Sequence, residues 1–202
     1  MDIKAHWEKV YATKSPNEVS WTQEYPIHSM ELFETLSTPK SAPIIDVGGG
    51  ESSLTAELIA LGYIDITVLD ISQKALDRAK VTLGEKAKHI QWICSDILSF
   101  SPKRKYHLWH DRAAFHFLTS PEAIQSYVSL VNQQVEKTLL LGTFSKSGPE
   151  KCSGLPVTQY SCSSIATLFS KRFKTVQCHE VTHTTPFNTQ QNFIFTRLDK
   201  ID

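Results

Sequence analysis

The chain has 202 residues, 41% of them hydrophobic and 21% charged, and its 21 Lys and Arg balance 21 Asp and Glu to a formal net charge of zero. This is the make-up of an ordinary soluble globule of one domain, and the zero balance removes the bulk electrostatic case for a nucleic-acid or anionic-membrane partner. No apolar run nears the roughly 20 residues that span a bilayer.

The amino-terminal residues Met1-Asp2-Ile3-Lys4 carry no basic-then-apolar leader pattern. Cys94, Cys152, Cys162 and Cys178 are scattered, without a C-x-x-C pair. Reduced thiols and a cytoplasmic location are the expectation.

Residues 1–25 set Trp7, Tyr11, Trp21 and Tyr25 among charged residues, with Ile3, Trp7, Val10 and Tyr11 near helical spacing. A short helix and a loop follow from that spacing. Either they pack on the domain as an arm, or they form a lid whose aromatics line a ligand site. A second short helix over 28–37 ends at Pro39 and Pro43, so residues 1–38 read as a helical arm on a single domain spanning 1–202.

From residue 43 strands and helices alternate. Strand 43–48 leads to a helix over 52–62, and strand 64–69 closes on Asp70 before a helix over 72–83 opened by Ser72. Strand 90–94 ends at Ser95-Asp96, strand 106–110 ends at Asp111, and a helix over 120–133 precedes the apolar strand 138–142. Repeated strand–helix units predict a parallel sheet with right-handed crossovers. A loop over 143–160, a helix over 161–170 and two strand-like runs, 173–182 and 191–198, complete the chain. The short connection between those runs suits antiparallel pairing.

The stretch Asp46-Val47-Gly48-Gly49-Gly50-Glu51-Ser52-Ser53 organises this pattern. Strand, glycine turn and helix build a nucleotide site, because glycines admit the ligand to the backbone and a helix start offers free N–H groups. A nicotinamide site needs G-x-G-x-x-G or G-x-G-x-x-A after an apolar strand end. Here the third position is Ser53 and the strand holds Asp46, an acid that repels a pyrophosphate and suits a cationic amino-acid end. S-adenosylmethionine has such an end. Asp70 lies at the ~20-residue spacing past Gly50 at which an acid accepts ribose hydroxyls. Asp96 is placed to accept from an adenine amino group, with Ile97 over the ring.

On these residues the chain resembles the seven-stranded S-adenosylmethionine-dependent methyltransferases, over roughly 40–198. It is similar to bacterial methyltransferase-domain proteins and, more distantly, to protein-lysine methyltransferases. The third glycine of the family's D-x-G-x-G-x-G is Ser52 here. The resemblance implies a three-layer α/β/α sandwich with strand order 3-2-1-4-5-7-6 and strand 7 antiparallel. It implies a cofactor site of Trp21, Asp46, Gly48, Gly49, Gly50, Asp70, Ile71, Asp96 and Ile97, and an arm able to close over it.

The acceptor side falls after strand 4, at His110-Asp111-Arg112-Ala113-Ala114-Phe115-His116-Phe117. Asp111, to orient the acceptor, and His110 or His116, as a base, are the candidates there, with Asp111 and His116 preferred. The acceptor is expected to be a small molecule or a protein side chain. A non-catalytic binding module is the alternative on the same fold. His179-Glu180-Val181-Thr182-His183 spells the H-E-x-x-H zinc signature, which works only on a helix. Its β-branched residues and Pro186 read as strand, so no metal is expected.

Overall fold

The computed structural model describes residues 2–201. The arm is α1 (Ile3–Thr13), capped by the Asp2 carboxylate on the Ala5 N–H at 3.1 Å, and α2 (Ile27–Glu34). The alternating body is β1 (Ile44–Val47), α3 (Leu54–Ala60), β2 (Ile66–Asp70), α4 (Gln73–Leu83), β3 (Ile90–Cys94), β4 (Tyr106–Arg112), α5 (Pro121–Gln134) and β5 (Val135–Phe144). Ser72 and Ser120 cap α4 and α5 by accepting from the N–H groups of Ala75 and Ala123, which is why those helices start where they do. The end of the chain holds β6 (Lys151–Cys152), β7 (Leu155–Pro156), α6 (Cys162–Phe169), β8 (Phe173–Thr184) and β9 (Gln190–Lys200).

Seven strands make one sheet in the order β3-β2-β1-β4-β5-β9-β8, while β6 and β7 pair only with each other. Strands β1 to β5 run parallel, and β9 lies antiparallel between β5 and β8. Counted within the main sheet, this is the expected 3-2-1-4-5-7-6. The long connection after β5 is not bare loop: the β6–β7 hairpin lies within it.

Side-chain alternation sorts the core into two faces. Ile45, Val47, Trp109, Leu139 and Leu141 pack against Tyr127 and Val131 of α5 and Phe169 of α6. Ile44, Leu108 and Leu140 pack the other way, against Leu32 and Phe33 of α2 and Leu54 and Leu58 of α3. Asp46 and His110 are register partners on β1 and β4, on the Ile44 face. Asp111, one residue on, points to the α5 face.

One expectation needs correction. Cys162 and Cys178 are not free thiols: α6 packs on β8, their Cα atoms lie 5.9 Å apart, and they form a disulfide. Nothing in their spacing announces this, because the juxtaposition is tertiary. Cys94 and Cys152 are free. The H-E-x-x-H segment is strand, as its composition suggests, with His179 opposite Phe195 and His183 opposite Gln191. No described helix is long and apolar enough to cross a membrane.

Candidate active site

A cavity of about 410 Å³ opens over the carboxyl ends of the parallel strands, the place where open α/β sheets bind ligands. Its first wall is the glycine turn. Gly48 has φ +68°, and a Cβ there would sit 2.9 Å from the Cβ of Ala114. A Cβ at Gly50 would fall 2.5 Å from the Ala75 Cβ and 2.7 Å from an Asp70 oxygen, so the turn is pressed onto α4 and β2. Gly48 lines the cavity; Gly49 and Gly50 stand behind the lining and shape it.

Asp46 is 1% exposed. Its Oδ1 lies 2.7 Å from His110 Nδ1, and His110 Nε2 lies 2.8 Å from Ser29 Oγ on α2. This buried chain follows from alternation: β1 and β4 put acid and imidazole side by side on the face that α2 covers. It fixes the carboxylate's orientation and leaves Oδ2 buried without a partner. Arg112, also in the wall, has a partnerless Nε, while both its terminal nitrogens donate to the Trp21 carbonyl at 3.1 Å. Burial lowers its pKa to about 10, partly offset by Asp46, so the guanidinium stays charged at neutral pH. Asp46 Oδ2 and Arg112 Nε are thus two buried atoms of opposite charge, on residues of this wall, that no protein group satisfies.

Asp70 ends β2 in the wall, accepting from Gly50 N–H at 3.0 Å and Ser72 N–H at 2.8 Å. Burial pushes its pKa up to about 6 against those two hydrogen bonds, with Asp46 and Glu8 adding like charge. Each of its oxygens keeps a lone pair for a further donor. Ile71, Asp96 and Ile97 continue the wall, and the Asp96 carboxylate accepts from Leu98 N–H at 2.8 Å.

The arm closes the opposite side. Trp7, Tyr11 and Trp21 line the cavity, with Trp7 5.6 Å from Trp21 and 5.1 Å from Phe117, each edge to face. Glu8 anchors α1 to the start of α4 by accepting from Ser72 Oγ and the N–H groups of Gln73 and Lys74. The following loop is tied down at three points. Ser53 Oγ donates to the Gln23 carbonyl, Arg112 holds the Trp21 carbonyl, and His183 pairs with the Ser20 carbonyl and Gln23 amide.

Neither residue preferred on the acceptor side lies in the cavity wall. Asp111 is fully buried toward α5, where Oδ1 accepts from Ala114 and Phe115 N–H and Oδ2 from Tyr127 O–H at 2.7 Å. His116 is fully buried, stacked 4.3 Å from Phe144, with Nδ1 accepting from the Phe144 N–H. Burial, with Arg112 nearby, holds its pKa down at about 3, so it stays a neutral core ring. His110, a candidate base, is in the wall but held at both nitrogens by Asp46 and Ser29; the residues overlooked were Ser29 and Arg112. The Asp46–His110 pairing was within reach of the sequence, since residues at register positions on adjacent strands share a face.

Known proteins share the family pattern and the fold. Residues 44–134 match the family described as "Methyltransferase domain". That match covers the stretch from β1 to the end of α5, under half of the chain. Over 92 residues, 46% of the chain, it is 26% identical to the eEF1A lysine and N-terminal methyltransferase of Mus musculus, and it spans 13% of that relative's length. A SAM-dependent methyltransferase from Anabaena variabilis superposes with TM-score 0.75 at 15% identity, covering 100% of this chain and 96% of that one. The N-methyltransferase NodS of Bradyrhizobium japonicum, in complex with S-adenosylhomocysteine, gives 0.73 at 15% identity and covers 100% of both chains. The fold is the one these solved methyltransferases share. The partnerless atoms of Asp46 and Arg112 are complementary in charge to an amino-acid end such as that of S-adenosylmethionine.

Proposed function

We propose that this chain transfers a methyl group from S-adenosylmethionine to a small molecule or a protein side chain. The observation that carries the reading is the complementary pair of unsatisfied buried atoms, Asp46 Oδ2 and Arg112 Nε, beside the glycine turn. Asp46 would hold the ammonium, oriented by His110 and Ser29, and Arg112 the carboxylate. Asp70 would accept from the ribose hydroxyls, while Asp96, with Ile71 and Ile97, would bound the adenine. Gly48, Gly49 and Gly50 keep the turn low enough to admit the ligand. The bound cofactor supplies a methyl carbon activated by a sulfonium. Trp7 and Trp21 offer aromatic faces that favour positive charge and exclude water.

The arm over residues 3–25 is proposed to act as the lid, with Glu8, Ser53, Arg112 and His183 as its fastenings. The Cys162–Cys178 disulfide removes the thiol argument for a cytoplasmic location, and fractionation of cells making a tagged chain tests the compartment. The deciding experiment for the function is calorimetry with S-adenosylmethionine and S-adenosylhomocysteine on the wild type and Asp46→Asn. Asp46→Asn removes the charge facing the ammonium, and a loss of about 1.5–3 kcal/mol is expected. Unchanged affinity would remove Asp46 from the site, and no binding by the wild type would remove the function.

A further inference from the structure

The cavity is divided by charge. Asp46, Glu51, Asp70 and Asp96 all stand at the ends of β1 to β3, on the cofactor side, and Arg112 is the cation in the wall. The other side lies over the ends of β4, β5 and β9, and its large residues are Phe117, Phe144, Phe193, Leu155 and Trp7. Phe144 and Phe193 are register partners on β5 and β9, with ring centroids 4.5 Å apart. The polar groups there are the Arg112 guanidinium, held by the Trp21 carbonyl and 5.8 Å from the Phe193 ring, and the neutral Thr119 and Ser120 hydroxyls, Cys152 thiol and Gln191 amide. Burial raises the Cys152 pKa, so that thiol stays protonated.

A base is also lacking there. Among the described residues His110 is the histidine in the wall, and both its ring nitrogens are taken, by Asp46 and Ser29. His183, just outside, has both of its nitrogens engaged as well. An acceptor that must lose a proton before attack, such as a phenol or an alcohol, finds no group to take it. A lysine ammonium would need a carboxylate to receive it, and those acids stand on the other side. The partly open rings of Phe117 and Trp7, over a floor of buried Phe144 and Phe193, and the lack of a base favour a ring whose nucleophile is already unprotonated.

On the methyltransferase reading, on which this rests, we infer that the methyl acceptor is a small planar heteroaromatic base attacked through a ring-nitrogen lone pair. The lone pair forms the new N–C bond. The S–C bond breaks with its electron pair staying on sulfur, and the positive charge passes from sulfur to the ring. No proton moves and no further reactant is needed. Aromatic faces then serve both ends of the step, because the cation before transfer is the sulfonium and the cation after it is the methylated ring. Phe117, which touches Trp7 of the arm, is the specificity residue on this side.

The test uses the full chain with S-adenosylmethionine and an acceptor series: benzimidazole, quinoline, a phenol, an aromatic thiol and a lysine peptide. S-adenosylhomocysteine release and the mass of the methylated product are the readouts. Turnover of benzimidazole or quinoline at least tenfold above the other three in kcat/KM is expected. In parallel, calorimetry measures quinoline binding to protein saturated with S-adenosylhomocysteine. Phe117→Leu keeps an apolar side chain and removes the aromatic face, and should weaken quinoline roughly 3–10-fold. Preference for the lysine peptide, phenol or thiol overturns the inference, as does cofactor binding with no turnover of either heteroaromatic. Failure of the cofactor to bind overturns the methyltransferase reading with it.

Discussion

Asp70 and Asp111 invite comparison because so much about them is alike. Each stands near the carboxyl end of a parallel strand, at 5% and 0% exposure, and burial pushes each pKa up to about 6. Their surroundings differ in one respect. Asp111 receives three protein donors, two backbone N–H groups and the Tyr127 hydroxyl, and faces α5. Asp70 receives two, and the rest of its carboxylate borders the cavity. A perturbed carboxylate is therefore no mark of function by itself; what decides is whether lone pairs are left over and where they point.

The largest expected effect comes from Asp111→Ala. It leaves the Tyr127 hydroxyl and two N–H groups buried without an acceptor, so a loss of about 3 kcal/mol of folding stability is expected. Denaturant unfolding measures it, and the cofactor affinity of the folded fraction should be unchanged. A well-folded variant that binds cofactor and has lost only turnover would return Asp111 to the chemistry. The converse is Asp70→Ala. There the cost should fall on binding, on the order of 1.5–3 kcal/mol of cofactor affinity for hydrogen bonds to a charged group. Equal affinity in that variant would show that the ribose binds elsewhere.

The pH dependence separates the two acids without a mutation. Both have folded pKa values near 6, above the roughly 3.9 of an unfolded Asp, so their contribution to stability is full below about pH 4 and is lost as pH rises through 6. His116 works against them. Its folded pKa of about 3 lies below the roughly 6.5 of the unfolded state, so its contribution is full above pH 6.5 and is lost on acidification. Saturating S-adenosylhomocysteine brings ribose hydroxyls to Asp70, and donors favour the ionised form. The ligand should remove the Asp70 share of the slope between pH 4 and 6, up to about 1.4 kcal/mol per pH unit, and leave the Asp111 share. Unfolding curves at half-unit steps, with and without ligand, check this. Parallel curves across that window would mean that Asp70 does not meet the ligand.

Much of this was legible in the residues. The strand–helix alternation, the glycine turn and the acids after β1, β2 and β3 follow from patterns a few residues long. The acceptor side was misread for a reason of the same simplicity. Taking Asp111 from an octapeptide ignores the two-residue period of a strand, and His116 lies past the end of β4 in a short turn that buries it. Counted from Asp46 and its register, His110 and Arg112 belong to the cavity face and Asp111 to the other. The Cys162–Cys178 bond and the anchoring of α1 by Glu8 were out of reach, because each depends on how separate elements meet and leaves no local signature.

Glu8 carries the smallest effect and refines the comparison furthest. Its carboxylate caps α4 through Ser72, Gln73 and Lys74, and the Ser72 N–H is one of the two donors to Asp70. Those hydrogen bonds hold its own pKa below the usual carboxylate range, against the cost of its burial. Removing a cap of this kind costs about 1 kcal/mol. Glu8→Ala should therefore lower the melting temperature slightly. Because α1 carries Trp7 and Tyr11 into the cavity wall, it should also raise the cofactor's dissociation rate more than it changes the association rate. Stopped-flow tryptophan fluorescence reads both rates. Asp111 lies on the far face and has no link to the arm, so the same substitution should leave its share of the pH slope unaltered. A change there would mean that the two carboxylates are coupled through the sheet.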